Sequence, residues 1–335
     1  MILLSIIVPT YNMEKYLARC LNSVIVGNES RHDFEILVVN DGSKDHSLKI
    51  AEQFKDKYPN IIRVIDKPNG NYGSCINCGL KKAVGKYFRI LDADDTFSNV
   101  ALSDFLDKLS HSNEDMIISN FIYKYDLTNQ HNRIAPQGIT FDKTYHSFDF
   151  SVDNYEVLSM HAVTYKTSLL ADIQLYLDEG VSYTDLEYVY FPLKYIKSLK
   201  FINCDLYEYH IGREGQTVNP INQVKSYKSL LVVSKRLVDD FASDYNKSNS
   251  VLRNNQKVAI NKIIYATFKI GLVYCEKNKE NNEILKTIYK KLKETDISTL
   301  WLKKKKIKPL VCIWSVTGIY FNFLNGKFNH ILGKA

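Results

Sequence analysis

The chain has 335 residues, with 44 Lys and Arg against 37 Asp and Glu and a formal net charge of +7. With 45% hydrophobic and 24% charged residues it has the composition of a globular protein, which counts against disorder, and its length suits two domains or one large domain with an appendage. Six scattered cysteines exclude a disulfide scaffold and fit a reducing cytoplasm, and the positive charge is too dispersed for a nucleic-acid footprint. Met1 to Pro9 is apolar, but it lacks a basic leader and stops after a strand-length run, so no signal peptide is expected. No stretch reaches the ~18 uninterrupted apolar residues of a membrane span.

Strand-like and helix-like runs alternate from the start. Leu3 to Val8 reads as a buried strand, Met13 to Val26 as a helix, Phe34 to Asn40 as a second strand and Asp45 to Tyr58 as an amphipathic helix. Ile61 to Ile65 and Tyr72 to Val84 repeat the unit, and a fourth strand, Tyr87 to Leu91, runs into Asp92-Ala93-Asp94-Asp95. This order predicts an α/β fold: a mixed, mostly parallel sheet with helices on both faces and a ligand crevice at the carboxyl ends of the strands. Polar clusters follow each strand: Pro9-Thr10-Tyr11-Asn12, Asn40-Asp41-Gly42-Ser43, Lys67-Pro68-Asn69-Gly70 and the aspartates. Met116 to Tyr125 reads as a further strand and the polar stretch 126–142 as an irregular excursion. Beyond Asn222 the pattern is helical, over Val224 to Tyr245, Val251 to Cys275 and Asn281 to Lys293. The boundary is set near Asn219-Pro220, giving domains 1–219 and 220–335.

Three carboxylates within four positions repel one another unless a cation or solvent sits among them. Hard oxygen ligands suit Mg²⁺ or Mn²⁺, which bridge carboxylates to substrate phosphates; a solvated turn before a helix is the competing account. Gly42 and Asp45 are explained by a tight turn and a helix cap, but Asp41 is not, and a carboxylate there could accept the imide N–H of a uracil. Neither GxGxxG nor GxxxxGK[ST] occurs, which disfavours a dehydrogenase or a kinase. Cys75 and Cys78 fall a turn apart in a predicted helix and read as packed thiols.

Val8-Pro9-Thr10-Tyr11-Asn12, Val39-Asn40-Asp41-Gly42-Ser43, Asn69-Gly70-Asn71-Tyr72-Gly73-Ser74 and Leu91-Asp92-Ala93-Asp94-Asp95, in this order, resemble the family 2 glycosyltransferases of the GT-A fold. The match covers Leu3 to about Asp95 and continues more loosely through Thr217. The resemblance implies a UDP-sugar donor, a Mn²⁺ or Mg²⁺ ion and inversion at the anomeric carbon. Carried over by position, Pro9, Thr10, Tyr11 and Asn12 line the nucleotide site with Asn69 and Gly70, Asp41 bonds the uracil, and Asp94 contacts the ribose or the metal. Asp94 and Asp95 share the metal role, and Asp92 is left a structural one.

The family's base comes from a Glu-Asp pair at a helix start; here the stretch reads Val181-Ser182-Tyr183-Thr184-Asp185-Leu186-Glu187, with Thr184 in place of the usual Glu. Asp185 is the expected base, an N-cap role being the competing account, with Glu187 and Asp178 as fallbacks. In similar enzymes the segments around His161 and His210 border the acceptor site, and Arg213, flanked by glycines, is placed to close over the diphosphate. The expected activity is transfer of a hexose (glucose, galactose or N-acetylhexosamine) to a hydroxyl of a glycan, lipid-linked or glycoprotein acceptor. A noncatalytic binding module and a nucleotidyltransferase of similar fold are the alternatives. The C-terminal run Lys303 to Lys306 precedes an apolar, aromatic stretch, Pro309 to Leu324, expected to pack within the chain, join a second copy or touch the inner face of a membrane.

Overall fold

The computed structural model describes residues 1–146, 149–151, 155–212, 216, 220–295 and 307–322. It divides into two compact units, Met1–Arg213 and Glu214–Ala335. In the first unit the strands are β1 (Leu4–Thr10), β2 (Phe34–Asn40), β3 (Ile62–Asp66), β4 (Tyr87–Ile90), β5 (Thr96–Phe97), β6 (Met116–Tyr125), β7 (Gln130–Ile134), β8 (Thr144–His146), β9 (Val163–Lys166) and β10 (Ser198–Ile211). They form one sheet in the order β3-β2-β1-β4-β9-β6-β10-β5, with β7 on β6 and β8 on β10.

Every residue of β1 and β2 is buried, as the unbroken apolar runs require of strands covered on both faces. β3, β2, β1 and β4 are parallel neighbours, so their carboxyl ends open on the same edge. β9 then runs antiparallel between β4 and β6, and β6 is parallel to β10. The connecting helices are α1 (Leu17–Ile25), α2 (Ser47–Lys57), α3 (Asn71–Lys82), α4 (Asn99–Ser110), α5 (Thr167–Asp172) and α6 (Asp185–Tyr190). The mixed, mostly parallel sheet agrees with the expected fold class.

One expectation fails in part. Within the stretch read as irregular, 126–142, β7 pairs antiparallel with β6 from Phe121↔Ile134 to Tyr125↔Gln130. Four of its five residues are exposed, so no apolar alternation marked it as a strand.

The second unit is helical: α7 (Pro220–Lys225), α8 (Tyr227–Asp244), α9 (Ser250–Lys269), α10 (Lys279–Glu294) and a last helix, Lys308–Thr317. Asn249 and Asn278 cap α9 and α10 by accepting the N–H of Leu252 and Asn281. After α9 the chain makes a π-helical turn, Ile270–Tyr274, where a Cβ on Gly271 would lie 2.0 Å from the Tyr227 hydroxyl. The aromatic stretch divides: Trp314 is buried, its Nε1 donating to Asn282 Oδ1 at 3.0 Å and its ring packed edge-on against Phe268 and Tyr289. Phe321 is buried too, whereas Ile313, Val316 and Ile319 are exposed. The Lys303 to Lys306 run and Phe323 lie outside the described residues. Among the described residues no helix is long and apolar enough to cross a membrane.

Candidate active site

At the end of β1, Pro9 and Thr10 are buried while Tyr11 and Asn12 emerge into solvent. Asn12 adopts a left-handed backbone (φ 54°), which asparagine tolerates because its side chain can bond locally. Here it bonds across the crevice: Asn12 Oδ1 accepts Lys44 N at 2.8 Å and Asn12 N donates to Ser43 Oγ at 3.1 Å, tying the first two strand ends together.

Asp41 is buried beside them. Its Oδ1 accepts from Lys67 Nζ at 2.5 Å and Gly70 N at 2.9 Å, and its carbonyl accepts from Asn69 Nδ2 at 2.9 Å. Lys67 Nζ also reaches Ser74 Oγ at 2.8 Å. Pro9, Thr10, Asn12, Asp41, Asn69 and Gly70 therefore share one strand-end neighbourhood. Lys67 belongs with them, although the sequence reading gave it no role. Its signal was position alone, two residues before Asn69. Cys75 lies behind this group, and burial, then the nearby Asp41 charge, push its thiol up to about 12; both Cys75 and Cys78 are unbridged.

The acidic turn follows β4, closed by Asp95 N donating to Asp92 O at 3.0 Å. Asp95 is fully buried, accepting from Tyr207 Oη at 2.6 Å and from His210 N at 2.8 Å. Burial, followed by the Asp94 and Asp92 charges, holds its carboxyl well above the usual range. Asp92 Oδ1 accepts from Tyr72 Oη at 2.7 Å, and Arg19 binds the Asp94 carbonyl at 2.6 Å.

Sequence reasoning paired Asp94 with Asp95 for a metal and left Asp92 a structural part. Among the described residues, the group whose donor atoms converge, all within 4.8 Å of one another, is Asp92, Asp95 and His161. The His161 ring stacks on Tyr209 at 4.4 Å and meets Tyr207 edge-on at 4.8 Å. Two carboxylates and an imidazole form a donor set suited to Mn²⁺. His210 is turned elsewhere: its Nδ1 sits 2.8 Å from Asp126 Oδ1 and its Nε2 2.9 Å from Thr96 Oγ1. Arg213 lies outside the described residues.

Asp185 is the first residue of α6, and Thr184 occupies the N-cap without a side-chain capping bond. Asp185 thus stands in the first turn and not at the N-cap position. The loop before it is fastened to α3. Asn77 Nδ2 donates to Leu177 O at 2.9 Å and its Oδ1 accepts Leu177 N at 2.9 Å, while Gly180 N donates to Gly70 O at 2.7 Å. Glu187 is engaged in the same loop, its Oε2 accepting Asp178 N at 2.8 Å. A Cβ on Gly73 would lie 2.2 Å from Asp178 O, so only glycine allows this approach. The Tyr72 and Tyr209 hydroxyls are both raised, by burial first and then by carboxylates that include Asp92, Asp94 and Asp185. Base candidate and acidic turn thus both lie near these phenols.

Residues 5–164 match the model of glycosyl transferase family 2. An uncharacterized glycosyltransferase of Rickettsia prowazekii is 27% identical over 322 residues, covering 88% of this chain and 97% of that protein. The minor teichoic acid biosynthesis protein GgaB of Bacillus subtilis is 30% identical over 70% of this chain, which spans 26% of it. The poly(ribitol-phosphate) beta-N-acetylglucosaminyltransferase TarS of Staphylococcus aureus is 28% identical over 63% of this chain, which spans 36% of it. The crystal structure of TarS residues 1–349 in complex with UDP-GlcNAc superposes with a TM-score of 0.67 at 19% identity, covering 99% of this chain and 92% of that one. At that identity the superposition speaks for the fold. Together with the strand-end motifs, these matches identify the chain as a family 2 glycosyltransferase of the GT-A fold.

Proposed function

We propose that the protein transfers a hexose or N-acetylhexosamine from a UDP-linked donor to a hydroxyl of a glycan or polyol-phosphate acceptor, with inversion and with Mn²⁺ or Mg²⁺ as cofactor. The observation that carries this reading is the placement of Asp41 after β2 and of the Asp92–Asp95 turn after β4, on the same sheet edge, with Asp185 and the turn both acting on the Tyr72 and Tyr209 phenols. A UDP donor is supported by the Asp41 carboxylate: Lys67 and Gly70 both donate to Oδ1, so Oδ2 can accept the imide N–H of uracil. TarS, crystallised with UDP-GlcNAc, and GgaB, named for teichoic acid, support a nucleotide-sugar donor and a surface-polymer acceptor.

In this reading Pro9, Thr10 and Tyr11 wall the uridine, Asn12 and Asn69 hold the loops that carry Asp41, and Asp94 lies nearest the ribose and diphosphate. Asp92, Asp95 and His161 would hold the divalent ion, which neutralises the charge that develops on the leaving UDP. Asp185 takes the proton of the acceptor hydroxyl as its oxygen attacks the anomeric carbon; the bond to the diphosphate breaks and UDP leaves with the electron pair. An α-linked donor would give a β-linked product. His210 supports Asp95 through its backbone N–H, and Arg213 is proposed for the diphosphate.

Release of UDP from a panel of UDP-sugars, with and without Mn²⁺ and with candidate acceptors, tests the assignment. Slow hydrolysis of at least one UDP-sugar without acceptor, abolished by excess EDTA and by Asp94→Ala or Asp95→Ala, is expected. Full activity in EDTA would remove the metal from the scheme. Failure to bind any UDP-sugar by calorimetry would favour a noncatalytic module.

A further inference from the structure

Arg89 on β4 is fully buried, yet among the described residues no carboxylate pairs with it. A buried cation without a counter-ion costs several kcal/mol relative to an apolar side chain of similar shape. Desolvation lowers its pKa only to about 10, so the guanidinium remains charged near neutrality. It lies over the rings of Phe97 and Phe105, at 5.5 and 5.6 Å from their centres, which offsets part of that cost. Among the described residues its side-chain hydrogen bonds go to one short stretch: the His161 carbonyl, the Ala162 carbonyl at 3.4 Å and the Thr164 hydroxyl at 2.7 Å.

That stretch is where the chain enters β9 and delivers His161 to Asp92 and Asp95. The segment is also tied by Ser119 N donating to Ala162 O at 3.0 Å, by Ala162 N and Val163 N donating to Ser159 O at 3.0 and 3.2 Å, and by the His161 ring packed on Tyr207 and Tyr209; Arg89 adds charged donors to these ties. A side chain that only filled space between β4, β5 and α4 would be apolar. A fork of charged donors aimed at successive backbone groups restricts translation and rotation of the segment together.

We propose that Arg89 is a positioning residue for the transfer reaction: by gripping the His161 and Ala162 carbonyls and the Thr164 hydroxyl, it sets the His161 imidazole in register with Asp92 and Asp95. The proposal rests on the reading of those three residues as the metal-holding group. It predicts a division between stability and function. Arg89→Met removes the buried charge and keeps the volume, so thermal stability holds or rises. The imidazole loses its register, divalent-ion binding weakens by about 10-fold or more, consistent with losses seen when partners that orient a metal ligand are removed, and kcat falls more than donor KM rises.

The test is the ¹H–¹³C spectrum of the histidine rings in full-length protein, with the His161 peak assigned through His161→Gln. In Arg89→Met, or in Arg89→Lys and Thr164→Val should the first variant fold poorly, the His161 peak should shift while those of His32 and His111, on the far surface, stay in place. Mn²⁺ titration by electron paramagnetic resonance on the same variants gives the second readout, with Arg89→Lys retaining more binding than Arg89→Met. An unmoved His161 peak in the folded variants overturns the role of Arg89. Mn²⁺ that leaves the His161 peak of the unmodified protein sharp overturns the metal reading instead, and the ring shift still decides the role of Arg89.

Discussion

Asp41 and Lys67 show how much a single contact can specify. The ammonium 2.5 Å from a buried carboxylate pairs with it and fixes which way it faces. A uracil N3–H can donate to it, whereas the N3 of cytosine is a lone pair that it repels. Asp41→Asn is therefore expected to weaken UDP binding at least 10-fold and to narrow the preference for UDP over CDP, both measurable by calorimetry; an unchanged ratio would take Asp41 out of base recognition. Lys67→Met leaves the carboxylate buried and unpaired, a situation that costs roughly 3–5 kcal/mol, and should reduce both UDP affinity and thermal stability. Asp185→Asn belongs to the opposite class. As a first-turn residue behind the N-cap position held by Thr184, it should leave UDP affinity and melting temperature nearly unchanged while lowering transfer about 10²-fold or more. Loss of UDP affinity in step with rate would place the base elsewhere.

At the scale of elements, α3 joins donor pocket to base. Its entry residue Gly70 donates to Asp41 and accepts from Gly180, and its interior residue Asn77 holds both backbone groups of Leu177. Gly73→Ala would drive a methyl group into the Asp178 carbonyl, and backbone cannot yield as a flexible side chain can. The variant should lose about 1–3 kcal/mol of stability, the range for overpacking, and should lower kcat more than it raises donor KM, because the displaced loop leads to Asp185. Equal loss in both constants would mean that the loop does not carry the base. The motif running from Asn69 to Ser74 was legible in sequence, but this reason for its glycine was not, since Asp178 lies more than a hundred positions away and meets it only once the sheet has formed.

At the scale of the whole molecule the C-terminal unit has its own core. Trp314, with its indole N–H satisfied by Asn282 and its ring between Phe268 and Tyr289, closes that core. Trp314→Ala should cost about 3–5 kcal/mol in this unit, read as an early transition in thermal unfolding; a single unshifted transition would contradict it. Deleting Trp301 to Ala335 would also strip Val311 and Phe321 from the same core, so insoluble protein is the expected outcome. Among the described residues, Ile313 and Val316 on the last described helix and Ile319 just beyond it form an exposed aliphatic surface for self-association or an anionic membrane. Val316→Glu with Ile319→Glu leaves the core whole. Unchanged mass in light scattering and unchanged vesicle sedimentation in that variant would rule out either use of this face.

Local order was decided by the sequence itself. Apolar runs such as Phe34 to Asn40 and polar clusters directly after them encode buried parallel strands with a crevice at their ends, because strand periodicity and turn chemistry act over a few residues. Met116 to Tyr125 was legible to the residue; the exposed β7 was not, because a strand without a buried face carries no alternation. The site was legible only as far as its motifs reach. Which carboxylates converge, that His161 joins Asp92 and Asp95 while His210 turns to Asp126 and Thr96, and that Arg89 is buried with no counter-ion among the described residues were decided by tertiary structure. Those outcomes depend on β9 and β10 lying next to β4 and β6, pairings between distant segments that no local pattern specifies.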